Sequence, residues 1–158
     1  MIYIMTAFLT LLPISELRGA IPYAIANGLS PVFTWFYCVF FNAAIAPLVY
    51  IFLSTFHKFL IKYSWYKNLF EKFVERTRYK IENKVKKYGY FGIAIFVAIP
   101  LPITGAYTGT LGSWILGLEP KKTFLSVLTG VIISGTIVLS ITYFGIEALS
   151  FLTKDLSH

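Results

Sequence analysis

Residues 12–31 read Leu-Pro-Ile-Ser-Glu-Leu-Arg-Gly-Ala-Ile-Pro-Tyr-Ala-Ile-Ala-Asn-Gly-Leu-Ser-Pro. Glu16 and Arg18 are the only charged residues before Lys58, with 15 uncharged residues ahead of Glu16 and 39 between Arg18 and Lys58. A helical bilayer crossing needs about 20 apolar residues, so a run of 39 exceeds what a soluble core helix requires. Residues 88–118 and 123–146 are likewise free of charge. Over all 158 residues, 57% are hydrophobic and 13% charged, against about 25% charged in soluble domains. Mean hydropathy is +0.71. The composition predicts an all-α integral membrane protein and excludes a soluble enzyme, a nucleic-acid module and a secreted disulfide scaffold. The single cysteine, Cys38, cannot close an internal disulfide. His57 and His158 have no metal-ligand spacing, and no nucleophile or phosphate-loop motif is present. No metal, no cofactor and no enzymatic activity are expected.

The charge is concentrated in residues 58–87, which hold ten basic and three acidic residues and so carry the whole formal net charge of +7. By the positive-inside rule this block faces the cytoplasm. Phe59, Tyr63, Tyr66, Phe70, Phe73, Thr77, Ile81 and Val85 recur at helical spacing. One face is therefore an aromatic-rich stripe and the other carries lysines and arginines. Such a helix suits an anionic membrane surface, so lipid head groups are its expected partner. The plainer alternative is a solvated helix whose stripe packs on its own protein. Apolar runs on both sides speak against nucleic acid.

The flanking halves match at an offset of 89. Leu12-Pro13-Ile14-Ser15 corresponds to Leu101-Pro102-Ile103-Thr104, Gly28-Leu29-Ser30-Pro31 to Gly117-Leu118-Glu119-Pro120, and Thr34 to Thr123. Each half reads as a short apolar segment ending at a proline (1–12, 88–99), a Gly/Pro/Thr-rich stretch (13–31, 100–120) and a long helix (32–56, 121–146). Twelve helical residues rise about 18 Å, roughly half of the hydrocarbon core. A half-crossing, a break and a return make a re-entrant hairpin, tolerated at depth only where protein or a wet cavity surrounds it. With 58–87 inside, the first hairpin enters from outside and the second from the cytoplasm, and both termini lie outside. The expected architecture is an inverted repeat of hairpin plus transmembrane helix: 1–57, the amphipathic helix 58–87, 88–146, and a tail 147–158. Broken helices meeting at the midplane are a transporter signature. Four uninterrupted spans, the first kinked, form the alternative.

Glu16 and Arg18 fall at the first hairpin tip, where an ionisable group costs about 2.5–3.5 kcal/mol on insertion scales and marks a functional site by default. Burial favours a protonated carboxyl, which would let Glu16 exchange a proton. Arg18 can grip phosphate or carboxylate with two prongs. Gly19, with a helix start near Pro22, offers backbone N–H groups to an anion. Pro13 and Ser15 complete that tip. The second tip supplies Pro102, Thr104, Gly105, Tyr107 and Thr108, which bring hydroxyls and close backbone approach without charge. The structural alternative is that Glu16 and Arg18 neutralise each other. Asn42, Ser54, Ser126, Thr129, Ser134 and Thr136 read as helix glue, and Gly130 and Gly135 as close-packing positions.

The run Glu16-Leu17-Arg18-Gly19-Ala20-Ile21-Pro22, followed by Asn27-Gly28-Leu29, resembles the small multidrug export protein family. Pro102-Ile103-Thr104-Gly105-Ala106, followed by Gly109, resembles that family's second motif. The hairpin-helix repeat is also similar to the DedA (SNARE-associated Golgi, VTT) superfamily. That resemblance implies translocation of lipid phosphates, dependence on the proton-motive force and an acidic residue in the first hairpin, here Glu16. The pattern departs in one respect: this chain has an arginine in the first hairpin and none in the second. The expectation is a multi-pass plasma-membrane transporter, proton-linked, moving an amphipathic or anionic substrate between the tips. A drug exporter and a non-transporting lipid-binding organiser are the alternatives, and a homodimer suits so small a chain.

Overall fold

The computed structural model describes residues 1–101 and 104–155. Pro102, Ile103 and the last three residues lie outside the described set, as do the side chains of Lys58, Tyr66, Phe73, Lys80, Lys84 and 147–155. Among described residues the chain is all-helical: α1 (Ile2–Leu11), α2 (Glu16–Ala26), α3 (Pro31–Thr55), α4 (His57–Leu60), α5 (Ser64–Tyr88), α6 (Tyr90–Ala98), α7 (Ala106–Ile115) and α8 (Pro120–Asp155). Two helices are long and apolar enough to cross a membrane, Pro31–Thr55 and Pro120–Ile146. The protein is a membrane protein.

Proline sets the helix ends. Leu12 and Ile99, just beyond the ends of α1 and α6, are extended with ψ of 130° and 113°. Leu12 precedes Pro13 and Ile99 precedes Pro100, and a residue before proline is pushed out of the helical region. Pro31 and Pro120 open the two long helices, where a missing N–H leaves no bond unmade. The repeated Gly-Leu-x-Pro has a mechanical basis. Gly28 and Gly117 adopt φ of 84° and 67°, a left-handed conformation that glycine takes readily. Leu29 N–H then donates to Ala24 and Leu118 N–H to Ser113, both at 3.0 Å. These are the same Schellman closure, made at equivalent positions in both halves.

The packing maps onto itself when the halves are exchanged. α1 packs on α2 and α3 as α6 packs on α7 and α8, while α2 lies on α8 as α3 lies on α7. The core between the long helices holds Cys38, Val39, Ile45, Val127, Val131 and Val138. A Cβ on Gly130 would meet the Ala94 carbonyl at 2.7 Å, so the absence of a side chain is what lets α8 approach α6.

The basic segment is not one helix, because 61–63 separate α4 from α5. From Phe70 onward the described stripe residues Thr77 and Ile81 are buried and Val85 packs against the core. Ile81 is fully buried, and a Cβ on Gly112 would collide with its Cδ1. The Phe70 ring stands 4.1 Å from that of His57 and 6.4 Å from that of Trp114. Burial pushes the His57 imidazole below its usual pKa. Phe59, Tyr63, Trp65 and Leu69 stay exposed. The stripe thus divides, its C-terminal part on α6 and α7 and its N-terminal part uncovered.

Candidate functional site

Short helices broken within the fold leave unpaired backbone groups at each end, and side chains from other elements meet them here. α7 makes its first recorded intrahelical bond at Gly109 N–H, to Gly105 at 2.9 Å. The Glu16 carboxylate lies at this helix start, in the space a Cβ on Gly105 would take, where the N–H groups of Ala106 and Tyr107 and the Asn42 side chain favour its charged form. Glu16 is 6% exposed. An anion belongs at such a terminus, where the helix dipole and free N–H groups point the same way. Gly105 makes the approach possible, because a Cβ there would fall on the carboxylate. Glu16 itself has φ of 46°, a conformation costly for a side-chain-bearing residue and concentrated at functional sites.

The end of α1 is met in the same way. Asn42 Nδ2–H donates to the Thr10 carbonyl at 3.3 Å, and the Tyr107 hydroxyl donates to the Leu11 carbonyl. Thr104 closes its own turn, donating to the carbonyls of Ile99 (2.6 Å) and Leu101 (2.8 Å). Three elements of the first half (α1, α2, α3) are thereby tied to the start of α7.

Glu16 and Arg18 do not pair: no ion pair joins them among described residues. Arg18 is half-buried and donates Nη2–H to the Ile14 carbonyl at 3.2 Å. The expected helix start near Pro22 is corrected, since α2 begins at Glu16 and Pro22 lies inside it. Gly19 N–H is therefore engaged with Ser15 O at 3.2 Å and is no free anion donor. The helix terminus that takes an anion belongs to the opposite tip. Ser15 stands beside Gly19, whose missing Cβ would meet its hydroxyl. Thr108 is buried. Pro13 and Tyr107 line an apolar cavity of about 420 Å³ with Leu48, Phe52, Phe70 and Leu111. Pro102 lies outside the described residues.

Sequence reasoning undervalued Asn42. An amide within a long uncharged, apolar run was the available signal, since a buried amide needs partners; Asn42 is 1% exposed.

A family model described as "Putative small multi-drug export protein" matches residues 16–137. The chain belongs to that family. Its matched span begins at Glu16 and includes both tips, both long helices through Ile137, and α5. No curated protein and no solved structure matches the chain. The expected membership of the small multidrug export family is thus borne out.

Proposed function

We propose that this small multidrug export family member is a proton-linked, multi-pass transporter of the plasma membrane. Its working part is a pair of opposed re-entrant hairpins, α1–α2 and α6–α7, that arise from an inverted repeat and meet near the midplane. One observation carries the reading: the Glu16 carboxylate lies against Gly105 at the start of α7, placed to accept hydrogen bonds from the first N–H groups of that helix. Ionised Glu16 accepts those bonds and clamps the tips together. Such charge-assisted bonds contribute about 1.5–3 kcal/mol each. A proton taken up at Glu16 removes the charge and adds an O–H donor, so the clamp weakens and the tips separate. Loss of the proton restores it. The substrate class is amphipathic, in keeping with the apolar cavity that runs from Pro13 and Tyr107 at the tips toward Phe70.

Glu16→Gln keeps the size and an acceptor oxygen while removing the charge. In reconstituted vesicles the native protein should expel a cationic dye faster under an imposed pH gradient, and the variant should lose that acceleration. Equal gradient dependence in both would defeat the proposal.

A second reading, an anionic lipid-phosphate-like substrate of DedA type, draws on Arg18. Its guanidinium spends one recorded bond on a backbone carbonyl, leaving other N–H groups for a phosphate. Arg18→Lys should then weaken anionic-lipid binding in native mass spectrometry and leave a cationic dye untouched. Anionic lipid head groups against 58–69 and a homodimer belong to the same proposal.

A further inference from the structure

We infer that the two cavities flanking Phe124 form a binding site for a planar aromatic amphiphile with an N–H donor, the counterpart of a place that Trp35 closes in the other half. The site deepens the transport reading by naming its substrate class. The 89-residue offset places Phe124 on Trp35, Ala46 on Gly135 and Pro47 on Thr136. At the first of these junctions the gap between α3 and α8 is filled. Trp35 lies on Gly135, where a Cβ would stand 3.3 Å from Nε1, and its indole N–H donates to Thr136 Oγ1 at 3.2 Å. Trp35 lines none of the four main cavities.

At the equivalent junction the gap is empty. Phe124 and Pro47 together line two cavities, of about 300 and about 390 Å³. The first continues along Tyr50, Ile51, Thr110 and Thr123 with Lys121 also on its wall; the second continues along Phe40, Ala43 and Leu128. Their size is that of ligand pockets. Pro47 has no N–H to give the Ala43 carbonyl, so Ala43, a residue of the second cavity's lining, keeps an acceptor without its helical partner. At the closed junction, Thr136 supplies the acceptor and the indole supplies ring and donor together. A flat ring with an N–H satisfies both the shape and the unmet acceptor; an acyl chain satisfies only the shape. In the proposed topology Trp35 and Thr136 lie in the outer leaflet half and Phe124 in the inner half, so the site opens inward while its counterpart is shut.

Ethidium, planar and bearing N–H donors, is the probe. With the full chain in detergent micelles, its fluorescence should rise saturably on binding. Phe124→Trp, which fills the gap as Trp35 fills the other, should weaken binding at least tenfold, and Phe124→Leu, which removes the ring but keeps an apolar bulk, at least threefold. Melting curves on each variant separate lost binding from lost fold. Unchanged ethidium affinity in whichever of the two variants melts like the native protein would overturn the site. Displacement of the dye by equimolar palmitate would also overturn it, by making an acyl chain the occupant. Binding that behaves as expected without dye efflux from vesicles would keep the site and sink the transport reading instead, so the two failures are distinct.

Discussion

The segments that precede α2 and α7 match in sequence and differ in chemistry. At equivalent positions the first tip carries Ser15, Glu16, Leu17 and Arg18, and the second carries Thr104, Gly105, Ala106 and Tyr107. The Glu16 carboxylate occupies the room that Gly105 leaves, so two equivalent positions touch. Where two matched positions touch, a large side chain on one leaves no volume for a large one on the other, and a second carboxylate there would repel the first. One tip can therefore carry the charge only if the other carries none. The repeated parts, the left-handed glycines and the prolines that open the long helices, hold the frame. The unequal parts hold the site.

The largest effect expected from this contrast is that of Gly105→Ala. The methyl group would displace the carboxylate, so overpacking of about 1–3 kcal/mol adds to a lost charged hydrogen bond of about 1.5–3 kcal/mol. A loss of about 3 kcal/mol or more should appear in denaturant unfolding from micelles. In the first tip, Gly19→Ala meets only the Ser15 side chain, which can rotate away, and gains up to about 1 kcal/mol of helix propensity. Its net effect should stay within about 1 kcal/mol. Equal damage from both substitutions would remove the contrast between the two positions.

Next in size is the docking of α5, the element with no counterpart in the exchange of halves. Ile81→Ala empties a fully buried position against Gly112 and should cost about 2–5 kcal/mol. Phe59→Ala, on the exposed part of the same stripe, should change stability by no more than about 0.5 kcal/mol while reducing partition onto anionic vesicles. A stability loss at Phe59 to match that at Ile81 would make the whole stripe a packing face.

Much of this frame was legible in the chain. The offset of 89, the prolines and the uncharged runs placed the two long apolar helices to within a residue at their starts, whereas the basic helix expected from 58 is broken at 61–63 and resumes at Ser64. Glu16 stood out because a carboxylate flanked by so much apolar sequence needs a reason. What stayed hidden was its partner. Arg18, two residues away, was the nearest opposite charge in sequence, yet residues i and i+2 of a helix point to different sides. The carboxylate instead lies against Gly105 at the start of α7, 89 positions on, which no pattern of side chains announces. Gly105 could only be read as a place of close approach, with nothing to say what approached. The division of the aromatic stripe was equally invisible, since Phe59 and Phe70 obey one spacing but meet different surroundings.

A smaller effect tests the hydroxyl side of the contrast. Tyr107→Phe removes the bond to the Leu11 carbonyl and should cost about 0.5–1.5 kcal/mol, the usual net worth of a neutral hydrogen bond. Thr104→Val, which frees carbonyls beside its own turn, should fall in the same range. If Tyr107→Phe abolished gradient-driven efflux while melting normally, the tyrosine would act on the substrate or proton as well as tying the tips.

The smallest effect is expected where the charge is densest. Glu82 bonds Lys86 at 2.8 Å and lies 3.5 Å from Arg78 on α5, and these partners, Lys86 first, hold its carboxyl below the usual pKa. A depressed carboxylate stabilises above its unfolded pKa, and that contribution fades as pH falls through the folded value, so any loss belongs on the acid side of the ordinary glutamate range. The pair is solvated, however, and exposed ion pairs are screened by salt and seldom measurable. Glu82→Gln should therefore melt like the native protein at neutral pH, in low and high salt alike. Because α5 is anchored by Ile81 and Phe70, its charge ladder is free to serve a membrane surface, and the same variant, one unit more positive, should bind anionic vesicles slightly more tightly. A clear drop in melting temperature with unaltered vesicle binding would reverse that assignment and make the ladder structural.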